Sequence, residues 1–140
     1  MIQRIQSLFI LAAAGFGIAL FFVSLISLKS SDNIIVFSAS KAWYLVVLLS
    51  INILIMFIYL FGYKNRKKQM LTGKISIYLW ILWLLLFSLF VYLQYNMQDV
   101  TNITVHFGAI FPCLIIIFIL LANRNIKKDE DLIRSMDRIR

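Results

Sequence analysis

The sequence predicts an all-α polytopic membrane protein, a bundle of four transmembrane helices with a short C-terminal cytoplasmic amphipathic helix. Three observations predict it. The 140 residues are 62% hydrophobic and 14% charged, against ~45–50% and ~25% in a soluble domain. The apolar residues gather into four stretches, each near the ~20 residues that cross ~30 Å of hydrocarbon as helix. Ten of the twenty Asp, Glu, Lys and Arg side chains crowd into the last twenty residues. A soluble fold could not cover so much apolar side chain, so lipid is the expected solvent.

The first span is placed at 5–28, after Arg4. Its apolar run exceeds the ~7–15 residues of a signal-peptide core, so it is read as retained. Within it Ala13 and Gly17, and Gly15 and Ala19, are four apart. Small residues at that spacing let helices approach closely. Packing within the chain is the expected use, and a homo-oligomer the lesser one.

The loop from Lys29 to Ala42 contains an IIVF run, expected to rest on the membrane or on the other outer loop. The second span is placed at 43–63, with Trp43, Tyr44 and Tyr63 as interfacial rings. The inner loop YKNRKKQMLTGK carries Lys64, Arg66, Lys67, Lys68 and Lys74, a candidate contact for anionic lipid. The third span is placed at 75–95, with Tyr78 and Trp80 at one end and Tyr92 and Tyr95 at the other. The fourth is placed at 103–122. Pro112 lies inside it, removes a bond to the Gly108 carbonyl and is expected to bend the helix.

None of the four has an Asp, Glu, Lys or Arg in its interior. Twelve basic residues fall on the side of the termini and inner loop; only Lys29 and Lys41 fall on the other. That asymmetry places both termini in the cytoplasm. The net charge of +8 is therefore read as a topology signal, and no nucleic-acid partner is expected.

The tail, 124–140, is not simply basic, since Asp129, Glu130, Asp131 and Asp137 interrupt it. As a helix it places Leu132, Ile133, Met136 and Ile139 on one face. Glu130 and Asp131 fall four and three residues before Arg134, at ion-pair spacing. Packing under the bundle is the first expectation, docking of a partner the second, and adsorption to an anionic leaflet the third, because the acids would be repelled. Candidate partner-binding residues are Arg124, Lys128, Asp129, Glu130, Arg134, Asp137 and Arg138.

Chemistry has few candidates. Intramembrane catalysis or proton coupling needs ionisable side chains at depth, and the spans carry no full charge. The single Cys113 excludes an internal disulfide, and the single His106 a bis-histidine haem site. His106, Asp99 and Cys113 are the only residues an enzymatic reading could use. An interfacial histidine capping or hydrogen-bonding at a helix start is the simpler reading. Asn52 and Ser88 fall at nearly the same depth in neighbouring spans, where an interhelix hydrogen bond is worth ~0.6–2 kcal/mol. The Asn102-Ile103-Thr104 sequon lies at the membrane surface and is read as chance. No catalytic residue, metal site or cofactor is expected.

The start, Met1-Ile2-Gln3-Arg4-Ile5-Gln6-Ser7, the inner-loop Asn65-Arg66-Lys67-Lys68-Gln69, and the end, Lys128-Asp129-Glu130 with Leu132, Arg134-Ser135 and Asp137-Arg138-Ile139-Arg140, resemble one family. It is a family of small four-span bacterial membrane proteins catalogued as domain of unknown function 4293. The resemblance implies a Gram-negative inner-membrane protein and no particular activity. All three stretches lie on the side assigned to the cytoplasm. The expected function is thus an accessory subunit that binds a larger membrane complex through that face. A small oligomeric transporter or channel comes second, and an enzyme using His106 third.

Overall fold

The computed structural model describes residues 2–30, 34–97 and 100–137. Four helices, α1 (Ile2–Ala19), α2 (Trp43–Phe61), α3 (Arg66–Met97) and α4 (Phe111–Asp137), alternate with three strands, β1 (Ser24–Ser30), β2 (Ile34–Ser38) and β3 (Val100–Val105). Helix α1 packs on α2 and α4, α2 on α3, and α3 on α4. The helices thus contact in chain order, and α1 closes against α4.

Each helix buries one stripe. In α2 it is Leu45, Leu49, Asn52, Met56 and Tyr59; in α3 it is Gln69, Gly73, Ser76, Trp80, Trp83 and Phe87. Steps of four and three residues keep a stripe on one side of a helix, the pattern of helices that pack nearly antiparallel along their length. Two hydrogen bonds fix the α2–α3 register. Trp83 Nε1 donates to the Leu45 carbonyl at 3.1 Å, and Ser76 Oγ donates to Met56 Sδ at 3.7 Å. The outward faces remain apolar, with Leu8, Leu11, Leu54 and Leu85 exposed. Helices α2, α3 and α4 are long and apolar enough to cross a membrane, while α1 contributes a shorter apolar stretch, Ile5–Ala19.

The all-α expectation needs correction. The first helix ends at Ala19 rather than running to Leu28, and the segment after it becomes β1. This segment reads SLISLKS, whose alternation suits a strand as well as its apolar content suits a helix. Pairing decides between them. β1 is the centre of an antiparallel sheet of order β2-β1-β3, so both of its edges are hydrogen-bonded. The IIVF run is β2 itself, laid on β1, and the other outer loop supplies β3.

The remaining boundaries shift for local reasons. α3 begins at Arg66, nine residues ahead of the predicted span, because Asn65 caps it: the Lys68 N–H donates to Asn65 Oδ1 at 3.2 Å. Trp80 therefore lies well inside α3 and is wholly buried, not an interfacial ring, whereas Trp43 and Tyr78 are strongly exposed. The fourth helix starts at Phe111 rather than residue 103. Pro112 falls in its first turn, where a missing N–H breaks no helical bond, so the predicted bend has no cause. From there α4 runs without interruption to Asp137, and the tail is its continuation rather than a separate helix.

Candidate functional site

The three stretches singled out in the sequence meet at one end of the bundle, where α1 begins, α2 gives way to α3 and α4 leaves the core. The α2–α3 connection is only Gly62–Asn65. Asn65 closes it by donating its N–H to the Gly62 carbonyl at 3.1 Å and accepting from Gln69 N at 2.9 Å. Gln69 is buried, and its Nε2 donates to the Tyr59 carbonyl at 3.3 Å. The Asn65–Gln69 stretch thus has a concrete structural use: its Asn caps α3 and its Gln fastens α3 to α2.

A second tie reaches α4. Tyr59 Oη donates to Asn123 Oδ1 at 2.8 Å. Asn123 lies directly over Gly73, where a Cβ would run into its carboxamide. Gly73 therefore sets how closely α4 approaches α3. A third tie joins the first helix to the last: Gln6 Nε2 donates to Asp129 Oδ2. Gln6 is buried, and Ile126, one turn before Asp129, is 1% exposed. Sequence reasoning missed Gln6, Tyr59, Gln69 and Asn123. The signal for them is a polar residue on an otherwise apolar buried stripe.

The predicted tail residues divide here. Asp129 faces α1 and is engaged; Glu130 is half-buried; Arg124 and Lys128 are exposed. Arg138 lies outside the described residues, as do the side chains of Arg134 and Asp137. Beyond Glu130, Asp131, Leu132, Ile133 and Ser135 are exposed, so the end of α4 stands clear of the bundle. In the inner loop Lys67 and Lys68 are exposed.

The predicted Asn52–Ser88 bond is not formed. Asn52 Nδ2 donates to Leu48 O at 2.9 Å and Ser88 Oγ to Leu85 O at 2.9 Å, each within its own helix. The depths agree but the rotation does not: Phe87 occupies the buried stripe of α3, and Ser88, one residue on, turns outward. Asn52 is instead wholly buried, and its Oδ1 has no partner. Trp80 Nε1 is also buried without a partner. The Trp83–Leu45 and Ser76–Met56 bonds place these two residues in the same interval of the α2–α3 seam.

At the sheet end, Ser27 of β1 stands opposite Thr104 of β3, and their hydroxyls are in contact. His106 Nε2 reaches the same Ser27 Oγ at 3.1 Å, and the His106 N–H donates to Leu25 O at 2.9 Å. The histidine thus bonds to the sheet and does not cap a helix with its side chain. Cys113 is exposed on α4, and Asp99 lies outside the described residues. Among the described residues no group of three His, Cys, Asp or Glu could hold a metal ion. An apolar groove of about 410 Å³ lies between the sheet, α3 and the start of α4, with Leu25, Leu84, Ser88, Val91 and Pro112 in its walls.

The small residues of α1 serve the chain's own packing. Ala13 and Gly17 are buried, and a Cβ on Gly17 would touch Ile53 and Trp80 at 3.4 Å. Gly15 faces open space.

These features describe a mostly helical chain with three helices long and apolar enough to cross a membrane, which fits a multi-pass membrane protein. The chain belongs to the family described as Domain of unknown function (DUF4293), whose pattern matches residues 2–139. No curated protein and no solved structure matches it.

Proposed function

We propose that this protein is an accessory subunit of a larger membrane complex, and that the free end of α4 is its docking element. The observation that carries this reading is the division of α4. Up to Glu130 the helix is held by Ile126 in the core and by the Gln6–Asp129 bond. Immediately beyond, Leu132 and Ile133 are 55% and 41% exposed amid charged neighbours. The helix has 27 residues and so extends ~40 Å, against ~30 Å of hydrocarbon. Its last turns therefore project into water, where adjacent exposed apolar side chains carry a cost that a partner's surface removes. The basic asymmetry assigns this end to the cytoplasm, and the bacterial inner membrane is the compartment we assign.

The test is affinity purification of the tagged full chain from its own host at native level, beside a Leu132→Asp/Ile133→Asp variant. The substitutions lie beyond the packed part of α4, so the bundle should remain intact. A defined protein that accompanies the first and is lost from the second supports docking. Identical co-purification from both overturns it.

A second reading, a small oligomeric transporter or channel, draws on Asn52 Oδ1 and Trp80 Nε1, buried and unpartnered in the α2–α3 seam. It requires Asn52→Leu to abolish a transport phenotype while leaving the amount of folded protein unchanged.

A further inference from the structure

We propose that the crevice between α3 and α4, at the end where α2 gives way to α3, binds the phosphate headgroup of an anionic lipid. The crevice, about 330 Å³, is lined by Met70 and Lys74 from α3 and by Asn123, Arg124 and Lys127 from α4. Of the inner-stretch cations singled out in the sequence only Lys74 lines it; Lys67 and Lys68 do not, and two cations of α4 take their place.

Three features of the crevice fit a phosphate. Among the described residues its only charged walls are Lys74, Arg124 and Lys127, and no acidic residue lines it. Among the described residues none of the three makes an ion pair. The acids that follow Lys127 on α4, Asp129, Glu130 and Asp131, do not line the crevice, and Asp129 turns to Gln6 on α1. All three are exposed, so water screens much of their mutual repulsion, and an anion seated among them would remove the rest.

The approach of the two helices is itself built in. Gly73, next to Lys74, lets Asn123, next to Arg124, rest on the α3 backbone, and Lys74, Arg124 and Lys127 line one crevice there. The Tyr59 hydroxyl occupies Asn123 Oδ1, which leaves the amide N–H groups of Asn123 as donors at the crevice wall.

Lipid rather than a soluble phosphate is favoured by what borders the crevice. One turn toward the centre of the bundle, Tyr78 of α3 is 72% exposed and Leu120 of α4 is 52% exposed. Acyl chains would lie on these side chains while the headgroup meets the cations at the depth where Lys and Arg leave the hydrocarbon.

The experiment uses the purified full chain in mild detergent. Thermal stability and bound lipid, read by native mass spectrometry, are followed with phosphatidylglycerol, phosphatidylcholine or glycerol 3-phosphate. Phosphatidylglycerol should raise the melting temperature and remain bound, and the other two should not. Lys74→Gln and Arg124→Gln should each at least halve that shift, and adding Lys127→Gln to both should abolish it. Lys67→Gln/Lys68→Gln in the inner loop should leave it unchanged. The single variants decide the matter if the triple variant cannot be recovered. An undiminished shift in the crevice variants, or loss of it in the loop variant, overturns the proposal. An equal response to glycerol 3-phosphate overturns lipid as the occupant.

Discussion

Gln6, near the beginning of α1, donates a hydrogen bond to Asp129, on the last packed turn of α4, and so fastens the first helix of the chain to its last. The bond joins the last packed turn of α4 to the bundle. Past this bond α4 runs free; ahead of it, the helix is part of the core. Hydrogen bonds to charged groups are worth roughly 1.5–3 kcal/mol, and here one partner is only half-buried. Gln6→Leu should therefore cost about 1–2 kcal/mol and speed amide exchange in residues 127–137 more than in α2. Unchanged exchange in the α4 extension would show that Ile126 alone holds it.

Asn123 over Gly73 makes a second prediction, about helix spacing. Gly73→Ala places a methyl group where the Asn123 carboxamide lies, and overpacking of this kind costs about 1–3 kcal/mol. Shortening the opposing side chain should relieve it. Gly73→Ala/Asn123→Ala should thus be less destabilised than the sum of its single variants, by more than the ~0.3–0.5 kcal/mol scatter of independent sites. Thermal melts of the four proteins in one detergent supply the cycle. Strict additivity would mean that the two residues do not meet.

At the opposite end Ser27 serves two partners, Thr104 and His106. Ser27→Ala leaves the imidazole without its side-chain partner and should destabilise the junction of β1 and β3 by about 1 kcal/mol. Hydrogen exchange should rise in Ser24–Ser30 and Val100–Val105 together, because β1 is their shared centre. His106→Ala should act in the same direction. A variant that leaves exchange in both strands unaltered would remove the case for His106 as a structural tie.

Asn52 offers the opposite sign. Its Oδ1 is buried and unpartnered, and an amide held this way costs ~1–3 kcal/mol. Asn52→Leu, similar in branching though bulkier, should raise thermal stability in detergent. A fall in stability would show that the carboxamide is satisfied in the working protein, by a bridging group shared with Trp80 Nε1.

Orientation can be read with thiol labelling. In a Cys113→Ser background, Ser40→Cys and Ser135→Cys each place one thiol at an exposed position on opposite sides of the bundle. A membrane-impermeant maleimide should label Ser40→Cys in intact cells with a permeable outer layer. It should label Ser135→Cys only after the inner membrane is opened. The reverse pattern would overturn the orientation argued from the basic residues.

Composition alone determined that the chain's surface is apolar, because 62% hydrophobic residues cannot be hidden inside 140. The start of α2 was legible because a continuous apolar run begins at Trp43; its end was not, since the run carries past Gly62 to Tyr63 while the helix stops at Phe61. The helical character of the tail was legible because the helical period carries into the charged residues; that it continues α4 without a break was not.

Tertiary structure alone decided the rest. SLISLKS became a strand because β2 and β3, distant in sequence, pair with both of its edges, and no local pattern records that. Asn52 and Ser88 share a depth, which residue counting finds. Whether they face each other depends on helix rotation, which the large buried side chains Trp80, Trp83 and Phe87 set. The buried stripe of α1 can flag Gln6 in the sequence, but nothing local pairs it with Asp129. They meet only because α1 closes against α4, and long-range packing of that kind leaves no trace in local spacing.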